Sequence, residues 1–220
     1  MRKYLGIDFS LNSTGITYFD GKEYEFLAFV NSRIKKNATL SEKLEIKTLY
    51  FDRKPVPSVE KIGLQAWERI HMENCIINSE LLADWLTPLI DPQTDIILEN
   101  YSYGSHSDTT IQIIEQTMSL KFRLLTNFDI SNFWIYPGPS VKMFCGKGNF
   151  NKFDIHNCFV VENDKILTKN PVYQNILKNH DNIVKGSHNE VQSPVNDIID
   201  SYYLVKYHLS LTNPNLKNNG

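Results

Sequence analysis

Short apolar segments with strand-like composition open the chain and are separated by turn-forming residues. They span residues 3–8, 14–20 and 24–30, and the first one ends on Asp8. Residues 21–22, a glycine and a lysine, have the composition of a hairpin turn between the second and third segments. The pattern predicts three β-strands, with a hairpin connecting the last two.

After position 58 the apolar residues recur every three or four positions, which is the spacing of one face of a helix. Such a pattern covers residues 59–86, where the face comprises Ile62, Ala66, Ile70, Ile77, Leu81 and Trp85. It returns in residues 109–125, where the face comprises Ile111, Ile114, Met118 and Leu125. The spacing predicts two helices, each with one apolar side.

Two short apolar runs, residues 95–99 and 132–136, predict buried strands, and the first of them ends on Glu99. Beyond them the chain predicts short helices over residues 140–145 and 152–161, joined by a glycine-containing loop. A serine and a proline just before position 195 are typical of a helix start. We therefore expect a last helix that ends at about residue 211.

The order of these elements predicts an α/β fold in which helices flank a mixed five-stranded sheet. We expect a single domain over residues 1–212 and a flexible tail over residues 213–220. Two polar segments interrupt the pattern. One is an excursion over residues 31–57 with a candidate strand at 45–51, and the other is an irregular stretch over residues 162–192.

Composition narrows the class of protein. With 41% hydrophobic and 22% charged residues, the 220-residue chain can bury a core and is not typical of a disordered protein. Its apolar runs are too short to span a membrane, and its first residues lack a signal-peptide pattern. Three scattered cysteines predict neither a disulfide framework nor a zinc site, so we expect a cytoplasmic protein. With a net charge of −2, contacts to nucleic acid would have to come from a local basic stretch.

Four carboxylates fall at positions that a folded sheet would bring together. Asp8 and Glu99 end two predicted strands, and Asp197 and Asp200 lie three positions apart on one face of the last helix. Divalent cations stabilise such a group of like charges, and all-oxygen ligands favour Mg²⁺, for which Mn²⁺ substitutes. Two ions about 4 Å apart can support phosphodiester hydrolysis. Taken singly, each acid is more often a turn or surface residue, so the prediction depends on the ordered set.

A basic stretch follows the last predicted strand. Lys142, Lys147 and Lys152 alternate with Gly146 and Gly148, and glycines let a nucleic-acid backbone approach the main chain closely. The stretch predicts phosphate contacts, although an ordinary solvated loop has a similar composition. Two aromatic residues, Tyr101 and Tyr103, follow Glu99. They could stack on an unpaired base or pack against neighbouring loops.

Four segments carry these residues in a recognisable order. Residues 6–15 read Gly-Ile-Asp-Phe-Ser-Leu-Asn-Ser-Thr-Gly, and residues 98–101 read Leu-Glu-Asn-Tyr. The third runs from Tyr-Pro at 136–137 to Lys152, and the last reads Asn-Asp-Ile-Ile-Asp-Ser at 196–201. In order and content they resemble the motifs of the RuvC-like Holliday junction resolvases, particularly their phage and viral branch, over nearly the whole chain.

This resemblance implies a ribonuclease H-like fold and a metal-dependent endonuclease that resolves four-way junctions and other branched DNA. Carried over by position, it implies four metal ligands, namely Asp8, Glu99, Asp197 and Asp200. It implies that Lys152 lies near the scissile phosphate and that Lys142 contacts the DNA backbone. For a phage-encoded protein the location would be the host cytoplasm.

A four-way junction has two-fold symmetry, so we also expect a homodimer. The helix predicted over residues 59–86 offers a candidate contact patch away from its main apolar face. The patch comprises Trp67, Met72 and Ile76.

Three other functions are compatible with parts of the pattern. Another ribonuclease H-like nuclease, acting on RNA–DNA hybrids or in DNA packaging, would have the same acidic set. A DNA-structure binder without activity would share the fold, but the complete acidic set argues against it. Residues 6–15 also resemble the first phosphate loop of actin-like and sugar-kinase ATPases. Those proteins need a second such loop, and the sequence shows none.

Overall fold

The computed structural model describes residues 1–100, 108–186 and 189–213. The main strands of this part are β1 (Lys3–Asp8), β2 (Ser13–Phe19), β3 (Tyr24–Asn31), β4 (Lys47–Phe51), β5 (Thr94–Asn100) and β6 (Phe133–Pro137). They form one sheet in the order β4-β3-β2-β1-β5-β6. β2 is antiparallel to β1 and β3, and the other neighbouring strands are parallel. The predicted mixed α/β architecture is confirmed.

Helices lie on both faces of this sheet. Their bounds are α1 (Lys35–Lys43), α2 (Val59–Ile62), α3 (Leu64–Leu86), α4 (Asp108–Asn127), α5 (Gly138–Cys145), α6 (Lys152–Val160), α7 (Pro171–Lys178), α8 (His180–Ile183) and α9 (Val195–Thr212). A short hairpin of β7 (Val184–Lys185) and β8 (Glu190–Val191) precedes α9. Among the described residues, no helix is both long and apolar enough to cross a membrane.

Alternation along the strands divides the core into two layers. Tyr4 and Phe26 belong to the layer that α9 covers, whereas Leu5 and Ile7 belong to the layer beneath α3 and α4. Each face of the sheet is therefore apolar, and α9 packs on the central strands β1 and β2. This arrangement brings the first turn of α9 to the carboxyl end of β1.

The sheet has six strands rather than the predicted five. The excursion over residues 31–57 contains α1 and β4, and β4 extends the sheet by pairing in parallel with β3. The candidate strand at 45–51 is confirmed as β4. Leu44, Ile46 and Phe51 are buried in this excursion. These few apolar side chains hold a mostly polar segment against the edge of the sheet, and its composition did not indicate that the strand joins the sheet.

The apolar sides of the two long helices are not the sides that they bury. α3 buries a set rich in small and polar residues, His71, Asn74, Cys75, Asn78, Ser79, Leu82, Ala83 and Leu86. α4 buries Gln116, Thr117, Leu120, Lys121 and Leu124. The helices pack against each other along these positions, where the Ser79 hydroxyl donates to the Gln116 carbonyl at 3.3 Å. Much of each apolar side stays exposed, including Ile77, Leu81, Ile111 and Met118.

Two further segments differ from the sequence pattern. The helix predicted over residues 59–86 is interrupted at Gly63, which separates α2 from α3. The segment over residues 162–192 contains α7, α8 and the β7–β8 hairpin in its described part, and its Leu167 and Ile176 are buried. Of the predicted tail over residues 213–220, only Asn213 is described.

Candidate active site

Asp8 and Glu99 lie side by side at one edge of the sheet. β1 and β5 are parallel, and Ile7 pairs with Leu98 in their register. Ile7 and Leu98 are buried in the layer beneath α3 and α4. Because successive strand residues alternate between faces, the next residue on each strand is directed to the α9 side. The two carboxylates predicted at strand ends are therefore neighbours.

α9 brings two further carboxylates to the same edge. Its close approach to the sheet depends on Gly15, because a Cβ there would be 2.0 Å from the main-chain carbonyl carbon of Asp197. One turn further on, the hydroxyls of Thr17 and Ser201 are hydrogen-bonded at 2.8 Å. These contacts hold α9 so that Asp197 and Asp200 lie within the electrostatic reach of the strand-end acids.

All four carboxylates have raised pKa values, and burial is the largest cause for each. Burial raises the pKa of Asp8 well above its usual range, and the charges of the other three carboxylates raise it further. Burial also raises the pKa of Asp200 to about 7. The pKa values of Glu99 and Asp197 lie above their usual range, again mainly because of burial. A nearby cation would favour the ionised form of all four.

Lys152 contributes a positive charge to this group. It is the first residue of α6. The N-terminus of this helix is capped by reciprocal side-chain to main-chain hydrogen bonds of 3.0 Å between Asn151 and Asp154. The Lys152 ammonium lies 3.9 Å from Asp197 Oδ1. Burial alone would lower the pKa of Lys152, but Asp197 and Asp200 outweigh that effect and raise it. The side chain, 57% exposed, is thus a solvent-accessible cation beside the acids.

Two further lysines that are predicted to contact DNA lie on α5 and in the connection that follows it. Lys142 lies on α5, and its charge opposes the burial that raises the pKa of Glu99. Lys147 is exposed between Gly146 and Gly148 in the connection from α5 to α6. Two predicted base-stacking residues lie outside the described part of the chain, namely Tyr101 and Tyr103.

A cleft of about 140 Å³ opens beside Asp8 and Glu99. Ile113 and Thr117 of α4 line it opposite the ends of β1 and β5. Two of the four acidic residues thus border a cleft between the sheet and α4. The sequence did not indicate the α4 residues, because their place depends on how α4 packs on α3 and no local motif marks them.

The four acids are suitable ligands for a hard divalent cation, although their present arrangement does not form a complete coordination site. Asp197 Oδ2 is buried and has no hydrogen-bond partner among the described residues. All four groups offer oxygen ligands, which Mg²⁺ and Mn²⁺ prefer. In the described part of the chain, however, no three or more His, Cys, Asp and Glu side chains are placed so that they could hold an ion as they stand. The carboxylates would have to draw together to bind one.

Comparison with known proteins identifies the fold of this chain through structural similarity and not through sequence. No protein-family model and no curated protein matches the sequence. The chain is similar to the structure of Thermus thermophilus RuvC, with a TM-score of 0.50 and 9% identity over 96% of each chain. It is also similar to T. thermophilus RuvC in complex with a Holliday junction substrate, with a TM-score of 0.47 and 8% identity over 97% of each chain. The first similarity shows that this chain has a ribonuclease H-like fold.

Proposed function

We propose that this protein is a metal-dependent endonuclease that cuts four-way junctions and other branched DNA. The observation that carries the proposal is the meeting of four carboxylates at one edge of the sheet, with Lys152 beside them. The choice of substrate is supported by the sequence, because the four segments that resemble RuvC-like resolvase motifs supply all five residues. The fold shared with T. thermophilus RuvC agrees with that choice.

In this proposal the carboxylates hold Mg²⁺ or Mn²⁺, two ions per site, through Asp8, Glu99, Asp197 and Asp200. When bound, the ions supply the positive charge that promotes attack of water on a phosphodiester. Lys152 places a further positive charge beside the scissile phosphate. Lys142 and Lys147 bind neighbouring phosphates, and no covalent intermediate forms on the protein.

The direct test is incubation with a synthetic four-way junction, a flap, an RNA–DNA hybrid and a linear duplex, each with and without Mg²⁺. We expect cutting of the junction and the flap that requires Mg²⁺. Preference for the hybrid would indicate another ribonuclease H-like nuclease, and preference for linear duplex would favour a packaging nuclease. Binding of the junction without cutting would indicate a structure-specific binder. Each of these three results contradicts the proposal.

We also propose that the active form is a homodimer. A two-fold dimer would place two active sites on a two-fold symmetric junction, so that both strands can be cut in one encounter. A shallow apolar groove supports this proposal. It runs along the exposed side of α3, where Leu64, Met72 and Ile76 line it together with Gln65, Glu68, Arg69 and Glu73. Trp67 of the predicted patch is half-buried and does not line it.

A further inference from the structure

Gly138 lies where β6 passes into α5, directly beside Glu99. Glu99 pairs with Tyr136 in the parallel register of β5 and β6, so the chain enters α5 two residues beyond that pairing. Gly138 is the first residue of the helix and is buried. A Cβ on Gly138 would be 2.2 Å from Glu99 Oε1 and 3.1 Å from Glu99 Cδ. The Glu99 carboxylate therefore occupies space that any other side chain at position 138 would need.

A side chain at position 138 would clash with one flexible group, the Glu99 side chain. The three atoms nearest to the Cβ position all belong to the Glu99 side chain, and alanine suits a helical backbone better than glycine does. The end of a glutamate rotates more easily than the main chain moves. Non-bonded heavy atoms need roughly 3.5 Å, so an alanine at position 138 would displace the carboxylate by roughly 1 Å.

We propose that Gly138 is a positioning residue, whose missing side chain sets the place of the Glu99 carboxylate in the cation site. The inference rests on the proposed function, in which Glu99 is a metal ligand. Mg²⁺ demands near-ideal octahedral geometry at short distances, and an alanine Cβ in the space of the carboxylate would limit the positions that Glu99 can take when the acids draw together around an ion. Gly138 itself touches neither DNA nor cation in this proposal and acts through Glu99.

The test compares Gly138→Ala with Met143→Ala, a control on the exposed side of the same helix, where Met143 is 65% exposed. Calorimetric titration with Mn²⁺ should show at least about tenfold weaker binding for Gly138→Ala and wild-type binding for the control. The midpoint of urea unfolding should stay at its wild-type value for both variants. Junction cutting by Gly138→Ala should slow together with Mn²⁺ binding.

A second substitution separates positioning from general damage. Glu99→Asp withdraws the carboxylate by one methylene group, which removes the contact with an alanine at position 138. In the wild-type background Glu99→Asp should weaken Mn²⁺ binding, whereas in the Gly138→Ala background it should cause no further loss or restore part of the affinity. Equal losses in both backgrounds, or wild-type Mn²⁺ affinity in Gly138→Ala, would overturn the inference.

Crystal structures of wild type and Gly138→Ala, both without cation, give a readout that is independent of activity. The Glu99 carboxylate should be displaced in the variant while α5 keeps its place. An unmoved carboxylate would overturn the inference even if the wild-type protein cuts junctions. Conversely, a wild-type protein that neither binds Mn²⁺ nor cuts junctions would refute the proposed function and, with it, the role of Gly138 at a cation site.

Discussion

At the scale of single residues, the candidate active site is a group of buried carboxylates whose ionised forms are disfavoured. Burial and mutual repulsion raise the pKa of Asp8, and the nearby ammonium of Lys152 opposes this only in part. Asp197 Oδ2 is buried without a hydrogen-bond partner in the described part of the chain. A divalent cation would relieve both costs at once, because it offers positive charge and vacant positions for oxygen ligands.

Replacing one of the carboxylates by its amide tests this interpretation. Asp8→Asn, Glu99→Gln or Asp200→Asn should each reduce junction cutting by at least about 100-fold, since even residues that only orient a metal's ligands cost about 10–100-fold when changed. The amide keeps the shape but loses the charge, so junction binding should survive. Single-turnover cleavage and binding without Mg²⁺ measure the two effects. Asp84→Asn, at an exposed position of α3, is the control. Wild-type rates for both Asp8→Asn and Glu99→Gln would disprove the mechanism.

The three lysines of the basic stretch should differ in whether they mainly affect cleavage or DNA binding. Lys152→Ala should slow cutting more than it weakens binding, because one phosphate contact among many contributes little affinity. Lys142→Ala and Lys147→Ala should mainly weaken binding and reduce the slope of log K against log salt by about one each. Salt-titrated binding of the three variants, beside their cleavage rates, measures the division. Wild-type slopes for Lys142→Ala and Lys147→Ala would count against it.

Some of these residues could be predicted from the sequence and others could not. Asp8 and Glu99 end short apolar runs, and the carboxyl ends of adjacent parallel strands meet at one edge. Asp197 and Asp200 share a helical face. Once the last helix packs on the sheet, both therefore lie near the strand ends. The contact between Gly138 and Glu99 depends on the register of β5 and β6, which no local pattern reports.

At the scale of elements, periodicity identified the long helices but not the faces that they bury. α3 and α4 meet through residues such as Asn78, Ser79 and Thr117, whose small or polar side chains let the helices approach. The apolar spacing therefore marks a surface of the molecule and not its core. β4 shows the opposite case, because a mostly polar segment completes the sheet through a few buried residues such as Phe51.

Asp164 joins the segment over residues 162–192 to the rest of the fold. Its Oδ2 accepts hydrogen bonds from the Lys206 ammonium and the Tyr24 hydroxyl, both at 3.0 Å. Burial alone would raise the pKa of Asp164, but Lys206 and two main-chain amides outweigh it and lower that pKa below its usual value. The ionised carboxylate is therefore the form that stabilises this attachment.

Asp164→Asn should lower the free energy of unfolding at pH 7 by about 2–3 kcal/mol, because it removes the charge of the carboxylate nearer to Lys206 and leaves only Glu162, at 3.9 Å, as its charged partner. The folded-state pKa lies below the unfolded value, so the contribution is complete above about pH 4 and fades as the pH falls further. The difference between wild type and variant should shrink accordingly. Urea unfolding at a series of pH values measures it, with the exposed Asp181→Asn as control. Equal stabilities at pH 7 would refute this role.

At the scale of the whole molecule, the apolar sides of α3 and α4 form an exposed surface without a partner in the described chain. Met72 is 58% exposed and Phe122 is 71% exposed, and apolar surface of this kind usually marks an interaction site. The carboxylates lie at the strand ends, on the face of the sheet that α9 covers and not on the face that α3 and α4 cover. The fold is thus compatible with two copies that join through α3 and each keep an accessible site.

The homodimer predicts a definite response to charge on that surface. Light scattering at micromolar concentration should give the mass of two chains for wild type, both free and with junction DNA. Met72→Lys should give monomers, because a lysine buried between two apolar faces is costly. Leu211→Lys, at a position 51% exposed near the end of α9, is the matched control and should remain dimeric. A dimeric Met72→Lys variant would move the interface away from α3. A wild-type monomer in both states that still makes two symmetric nicks would refute the dimer itself, because one active site per complex would then suffice for both strands.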